Sequence, residues 1–157
     1  MIIDSRNEFC DATSLNTGAA GTYVIGNQID LGAAAPLLGG GEALYLVGVA
    51  NEGIEAAGAG SVAFELVSDS VATLDNSATV HLRTPTIATS TTTDTTTLKA
   101  GTVLFAFQVP FGVLNAFERY LGIRQVTATQ AITAGKVDIF LTPDVQAWKA
   151  YDAPNQL

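Results

Sequence analysis

The residues with the best chemistry in this chain are few and isolated. His81 is the only histidine and lies in SATVHLRT (77–84). A zinc site needs three or four His, Cys or carboxylate ligands, and a Ser-His-Asp triad needs a nucleophile beside an oriented base. No local spacing supplies such partners, so His81 reads as a strand-edge histidine hydrogen-bonded to backbone. Cys10, the only cysteine, has Arg6 as its one nearby cation, whereas a reactive thiolate needs a strongly electropositive setting. It reads as a small apolar residue that makes no internal disulfide.

The carboxylates are spread singly. Glu52 and Glu55 are the closest pair in a strand connection, but a glycosidase needs two carboxyls facing each other across a cleft, and these read as a solvated loop. Asp69 and Asp75 flank a turn without the D-x-D-x-D-G spacing of a calcium loop. Gly39-Gly40-Gly41 lacks the Lys-Ser/Thr of a phosphate-binding loop and reads as a turn. The sequence is therefore read as a non-enzyme with no cofactor and no metal.

The elements that would carry these residues are strands. In SVAFELVSD, Val62, Phe64 and Leu66 alternate with Ala63, Glu65 and Val67; in GKVDIFLTP, Val137, Ile139 and Leu141 oppose Lys136, Asp138, Phe140 and Thr142. This period of two predicts strands with one wet face. Runs at 23–31, 43–49, 102–109 and 119–129 are apolar on both sides and rich in β-branched and aromatic residues, which predicts interior strands. Ser77 to Arg83 and a threonine-rich strand near Thr86 to Thr93 bring the total to about eight. Gly, Asn and Pro punctuate them at antiparallel turn positions. Short strands at this spacing imply a sandwich or barrel. A helical period is nowhere sustained, and only Asp144 to Tyr151 could form a short terminal helix. The tract at 86–97 is read as strand plus loop.

The chain has 15 acidic and 7 basic residues, a net charge of −8 and a mean hydropathy of +0.31. Its hydrophobicity excludes a disordered chain, and its length suits one domain. The seven cations form no run, so no nucleic-acid footprint is present. No apolar stretch approaches the roughly 20 residues of a spanning helix, and the N-terminus has no signal-peptide pattern. These features predict a protein made in the cytoplasm that meets no membrane.

An excess of apolar and small residues remains: Ala, Gly and Thr number 24, 15 and 19. Apolar surface beyond what a monomer needs marks interaction. The candidate partner-binding residues are Ile2, Ile3, Arg6 and Phe9 at one end and Trp148 and Tyr151 at the other, the alternative being that they cap the sandwich's own core. The expected organisation is an N-terminal arm and lead-in over 1–20, a sandwich over 21–143 and a tail over 144–157.

MIIDSRNEFCDATSL at the start, IDLGAAAPLLGGGEALYLVGV, RYLGIRQV and the ending AGKVDIFLTPDVQAW together resemble the capsid cement (decoration) proteins of short-tailed bacteriophages, in the same order over about half the chain. The resemblance implies an all-β, jelly-roll-type antiparallel sandwich with an extended N-terminal arm, here Ile2 to Phe9. It also implies a virion protein on the outer capsid surface that clamps neighbouring major capsid proteins after the shell expands. Its partners would be the major capsid protein and itself, as a homodimer or else a trimer. The threonine tract departs from the pattern. The other reading of the residues is a carbohydrate- or receptor-binding sandwich of a phage tail or fibre.

Overall fold

Alternation of apolar side chains and glycine-bearing turns makes nine strands in the computed structural model, which describes residues 5–32, 38, 42–74, 76–89, 98–110 and 115–145. A single 3-10 turn at Ser5–Asn7 leads into β1 (Glu8–Ser14). β2 (Gly21–Asp30), β3 (Tyr45–Ala56), β4 (Gly60–Asp69), β5 (Thr79–Arg83), β6 (Ile87–Thr89), β7 (Val103–Gln108), β8 (Tyr120–Ala128) and β9 (Ile132–Thr142) follow. No α-helix occurs among the described residues. Asp144 and Val145 are not helical, and the rest of the helix expected over Asp144 to Tyr151 lies outside them.

The strands form two antiparallel sheets. The first has the order β1-β9-β3-β7; the second has β2-β8-β4-β5, with β6 also on β4. β5 pairs with Glu65 to Ser68 and β6 with Gly60 to Val62, so the two are halves of one edge strand. Thr84 bridges the break: its N–H donates to the Phe64 carbonyl (2.9 Å) and its Oγ1 accepts from the Phe64 N–H (3.0 Å). Pro85 follows and has no N–H for the ladder. Counting the halves together gives the eight strands expected, wound as a jelly roll.

The core between the sheets is built from alternate residues of each strand: Phe9, Leu46, Val62, Phe64, Leu66, Phe105, Leu121, Ile123, Val137, Ile139 and Leu141 are all buried. Gly48 is a glycine because the Phe105 ring lies over it, 2.4 Å from where a Cβ would stand. Buried Gln125 is also satisfied: its Nε2 donates to Asn16 O (3.0 Å) and Thr127 Oγ1 (2.8 Å), and its Oε1 accepts from Asn16 N–H (2.8 Å). This side chain ties the β1–β2 connection to β8.

Four expectations are corrected. The stretch 1–20, expected as arm and lead-in, contains β1, because Phe9 and Cys10 bury completely and Glu8 to Ser14 pair with β9. The outer face of β4 is dry: Ala63, Glu65 and Val67 are all buried. Leu74 from the β4–β5 connection, fully buried, forms a second small cluster there with Val67 and Ala78 and lies 2.3 Å from a Cβ built on Gly122. Phe140 and Thr142, assigned to the wet face of β9, are also buried. Finally, β2 and β7 are edge strands rather than interior ones.

Candidate interaction surface

β1 and β9 are neighbours, and Glu8 at the start of β1 stands opposite Phe140 near the end of β9. The described chain therefore enters β1 and leaves β9 at the same end of one sheet. Arg6, in the turn before β1, is exposed there and lines an open cleft of about 380 Å³ with Glu8, Asn27, Gln28, Ile29 and Asp30. A register shift in β2 between Ile25 and Ile29 releases this stretch from β8. Gly26, with φ of 69°, lets β2 turn against β1.

The rim of the cleft is fixed by charge. Arg119 grips Asp30 through its Nε and Nη2, at 2.9 and 2.8 Å, and Asp30 Oδ1 also accepts the Gly32 N–H at 2.8 Å. These bonds hold the Asp30 carboxyl down at about 2 against an ordinary 3.8. The guanidinium carbon also stands 5.0 Å from the centre of the Tyr120 ring, a cation–π distance.

Of the residues singled out as partner contacts, Arg6 is where a partner could reach it. Phe9 is not: it is fully buried, so its apolar ring serves the core. Ile2, Ile3, Trp148 and Tyr151 lie outside the described residues, though the strands that lead to them are adjacent.

The residues weighed for chemistry are accounted for by structure. Burial pushes the Cys10 thiol up to about 12, which at neutral pH disfavours the free thiolate that a nucleophile needs. A thiol-specific maleimide should leave Cys10 unlabelled in the native protein and label it at once in denaturant; rapid native labelling would show that β1 detaches from the sandwich.

His81 Nε2 lies 2.7 Å from Ser68 Oγ, not against backbone as expected, and its ring stacks on Phe117 at 4.0 Å. The pair has the spacing of a base and a nucleophile. Yet Ser68 is fully buried, and its oxygen already accepts the Glu118 N–H at 2.9 Å. Burial lowers the His81 pKa.

Glu52 is exposed and pairs with Lys136 at 3.0 Å. It and Glu55 share one strand and line one open cleft with Lys99. Asp69 is spent on its own turn, accepting from Val71 N–H and from the Ser70 and Ser77 hydroxyls, which lowers its pKa. Asp75 and Gly39 to Gly41 lie outside the described residues. Among those described, no three His, Cys, Asp or Glu side chains gather where they could hold a metal.

Sequence reading missed a charged cluster in the second sheet. Glu65 receives Arg124 at 2.9 Å and Arg83 at 3.2 Å, from the directly opposite positions on β8 and β5. Glu65 and Arg124 are about 7–8% exposed and Arg83 is 53% exposed. A signal was present: one carboxylate in the otherwise apolar SVAFELV and one guanidinium in LGIRQV, charges that bury only when paired.

The family model of Bbp16 matches residues 9–141. The chain belongs to the Bbp16 family. The Bbp16 match runs from Phe9 in β1 to Leu141 in β9, so what it covers is the jelly roll from first strand to last. Arg6 and both terminal segments fall outside the Bbp16 match. No curated protein matches the chain.

Proposed function

We propose that this protein is a capsid cement protein, which binds the outside of an expanded phage capsid and clamps neighbouring major capsid proteins as a small symmetric oligomer. The observation that carries the reading is the adjacency of β1 and β9. It gives a rigid sandwich whose two terminal segments, with the Arg6 cleft between sheets, start from one end and can engage a neighbouring surface together. Two such contacts per copy reinforce each other, because the second is effectively intramolecular. The ordered resemblance of four segments to cement proteins supports the partner, and the family name Bbp16 suggests a phage-related protein. With a net charge of −8, complementarity favours a basic patch on the shell.

The test is to mix the purified protein with expanded, undecorated capsids of the matching phage. Stoichiometric binding and a higher shell-disruption temperature are expected, with binding that weakens as salt rises. A chain lacking residues 1–7 should keep its fold, since β1 begins at Glu8, and should attach less well. No binding to shells, together with a hit on a glycan array, would replace this reading with a carbohydrate-binding one.

A further inference from the structure

Three segments of the chain meet on Ser68, which lies on β4 and is fully buried. From β5, His81 brings its Nε2 to 2.7 Å from Ser68 Oγ. From the segment ahead of β8, Glu118 donates its backbone N–H to the same oxygen at 2.9 Å. The two outer segments also touch each other: the His81 ring stacks on Phe117 at 4.0 Å, and Thr79 Oγ1 donates to Glu118 Oε1 at 3.3 Å. Phe117 is itself a core residue, 1% exposed, so the imidazole rests on the core.

The positions of the protons follow from this geometry. A serine hydroxyl has one proton to give and two lone pairs with which to accept. One lone pair of Ser68 takes the Glu118 N–H, and among the described residues the hydroxyl proton has one acceptor in reach, His81 Nε2. A neutral ring therefore carries its own proton on Nδ1, and the chain from Glu118 N–H through Ser68 O–H to Nε2 runs in one direction. A second proton on the ring reverses the last link. Nε2–H must then donate to Ser68 Oγ, and the hydroxyl proton is left without an acceptor in a fully buried site, which is the costly way to break a buried hydrogen bond.

The charged groups around the ring supply no other acceptor for that proton. The Glu118 carboxylate is engaged by Thr79, Arg83 on the same strand reaches Glu65, Asp69 beside Ser68 accepts from its own turn, and Arg119 grips Asp30. A nearby carboxylate such as that of Glu118 favours a protonated ring, whereas burial opposes one. Burial prevails, since the His81 pKa is lowered from its ordinary 6.5. We propose that Ser68, His81 and Glu118 form a proton-sensitive latch that holds β5 to the segment entering β8, closed while His81 is neutral and released when the ring takes up a proton. The folded ring resists a proton that the unfolded chain accepts at about 6.5. The stability the latch contributes is therefore whole above that pH and is lost as pH falls through the folded value.

His81 is the only histidine in the chain, so imidazole signals in the NMR spectrum of the full-length protein report on the latch alone. The expected result is the Nδ1–H tautomer at about pH 7.5, with Nε2 showing the shift of an unprotonated acceptor nitrogen, and a titration midpoint below the ordinary 6.5. Ser68→Ala removes the hydroxyl and with it the conflict over protons, so the midpoint should rise toward the ordinary value. His81→Gln offers an amide oxygen to the Ser68 hydroxyl and cannot titrate. The wild-type urea midpoint should therefore fall relative to that of His81→Gln between about pH 7.5 and 5.5. An Nε2–H tautomer, a wild-type midpoint at or above the ordinary value, a midpoint unmoved in folded Ser68→Ala, or urea midpoints that keep a constant separation would each overturn the proposal. If a variant fails to fold, the tautomer and midpoint of the wild type decide.

Discussion

Glu65→Ala should lower the free energy of unfolding by about 3–5 kcal/mol, the range expected when one partner of a buried ion pair is removed. Arg124, with 8% of its side chain exposed, would lose the carboxylate that accepts from its Nε and Nη2. That loss falls on β8 and β4, the two central strands of the second sheet. Arg83→Ala should behave differently although it touches the same carboxylate. Arg83 is half exposed, and exposed pairs contribute about 0–1 kcal/mol. Urea denaturation of the two variants beside wild type checks the contrast, and equal losses would mean that burial does not govern the cluster. The double replacement Glu65→Leu with Arg124→Met should recover most of the loss, since well-packed apolar pairs substitute for buried ion pairs at little cost.

Gly26→Ala should be comparably damaging for a reason that involves no charge. Gly26 holds φ at 69°, a conformation that strains an L side chain by about 1–3 kcal/mol. Its added Cβ would also stand 2.1 Å from the Phe9 carbonyl oxygen and 2.6 Å from Cys10 Sγ. The oxygen belongs to backbone and cannot rotate away, so β1 or β2 must shift, which adds roughly 1–3 kcal/mol of overpacking. The expected total is about 3 kcal/mol or more by denaturation. Gly32→Ala is the matched control, because it shares the positive φ (79°) but meets nothing within 4 Å. Equal effects of the two substitutions would assign the damage to backbone strain alone.

Much of the fold was readable because alternation directly reports a strand and its two faces. β4 and β9 show it, with Val62, Phe64, Leu66, Val137, Ile139 and Leu141 in the core as expected. Alternation does not report what lies over the other face. Glu65 read as solvated because its cover comes from pairing across β5 and β8, and Val67 because its cover, Leu74, sits in a connection with no period at all. Nor does an apolar run distinguish an edge from an interior position. Residues 43–49 and 119–129 did become central strands, while β2 and β7 became edges, since strand order is set by pairings far apart in sequence. Phe9 was misplaced for a related reason: only its partner strand, more than a hundred residues later, shows that the segment belongs to a sheet. Arg6 is exposed, as a charged residue before the first strand has little reason to bury.

The pairing of the first strand with the last also sets an order of events. Among the described residues β1 finds its ladder only in β9, which ends 128 residues after Ser14, counted as 142 minus 14. At roughly 5–20 residues per second the ribosome needs about 6–25 s to cover that span, long compared with the microseconds in which a local hairpin closes. Throughout that interval β3 also lacks one of its two neighbours, and Phe9 and Cys10 have no sheet to enter. Arrival of the last eleven-residue strand is therefore the step that completes the first sheet, and chains stopped before it would present unsealed edges to one another.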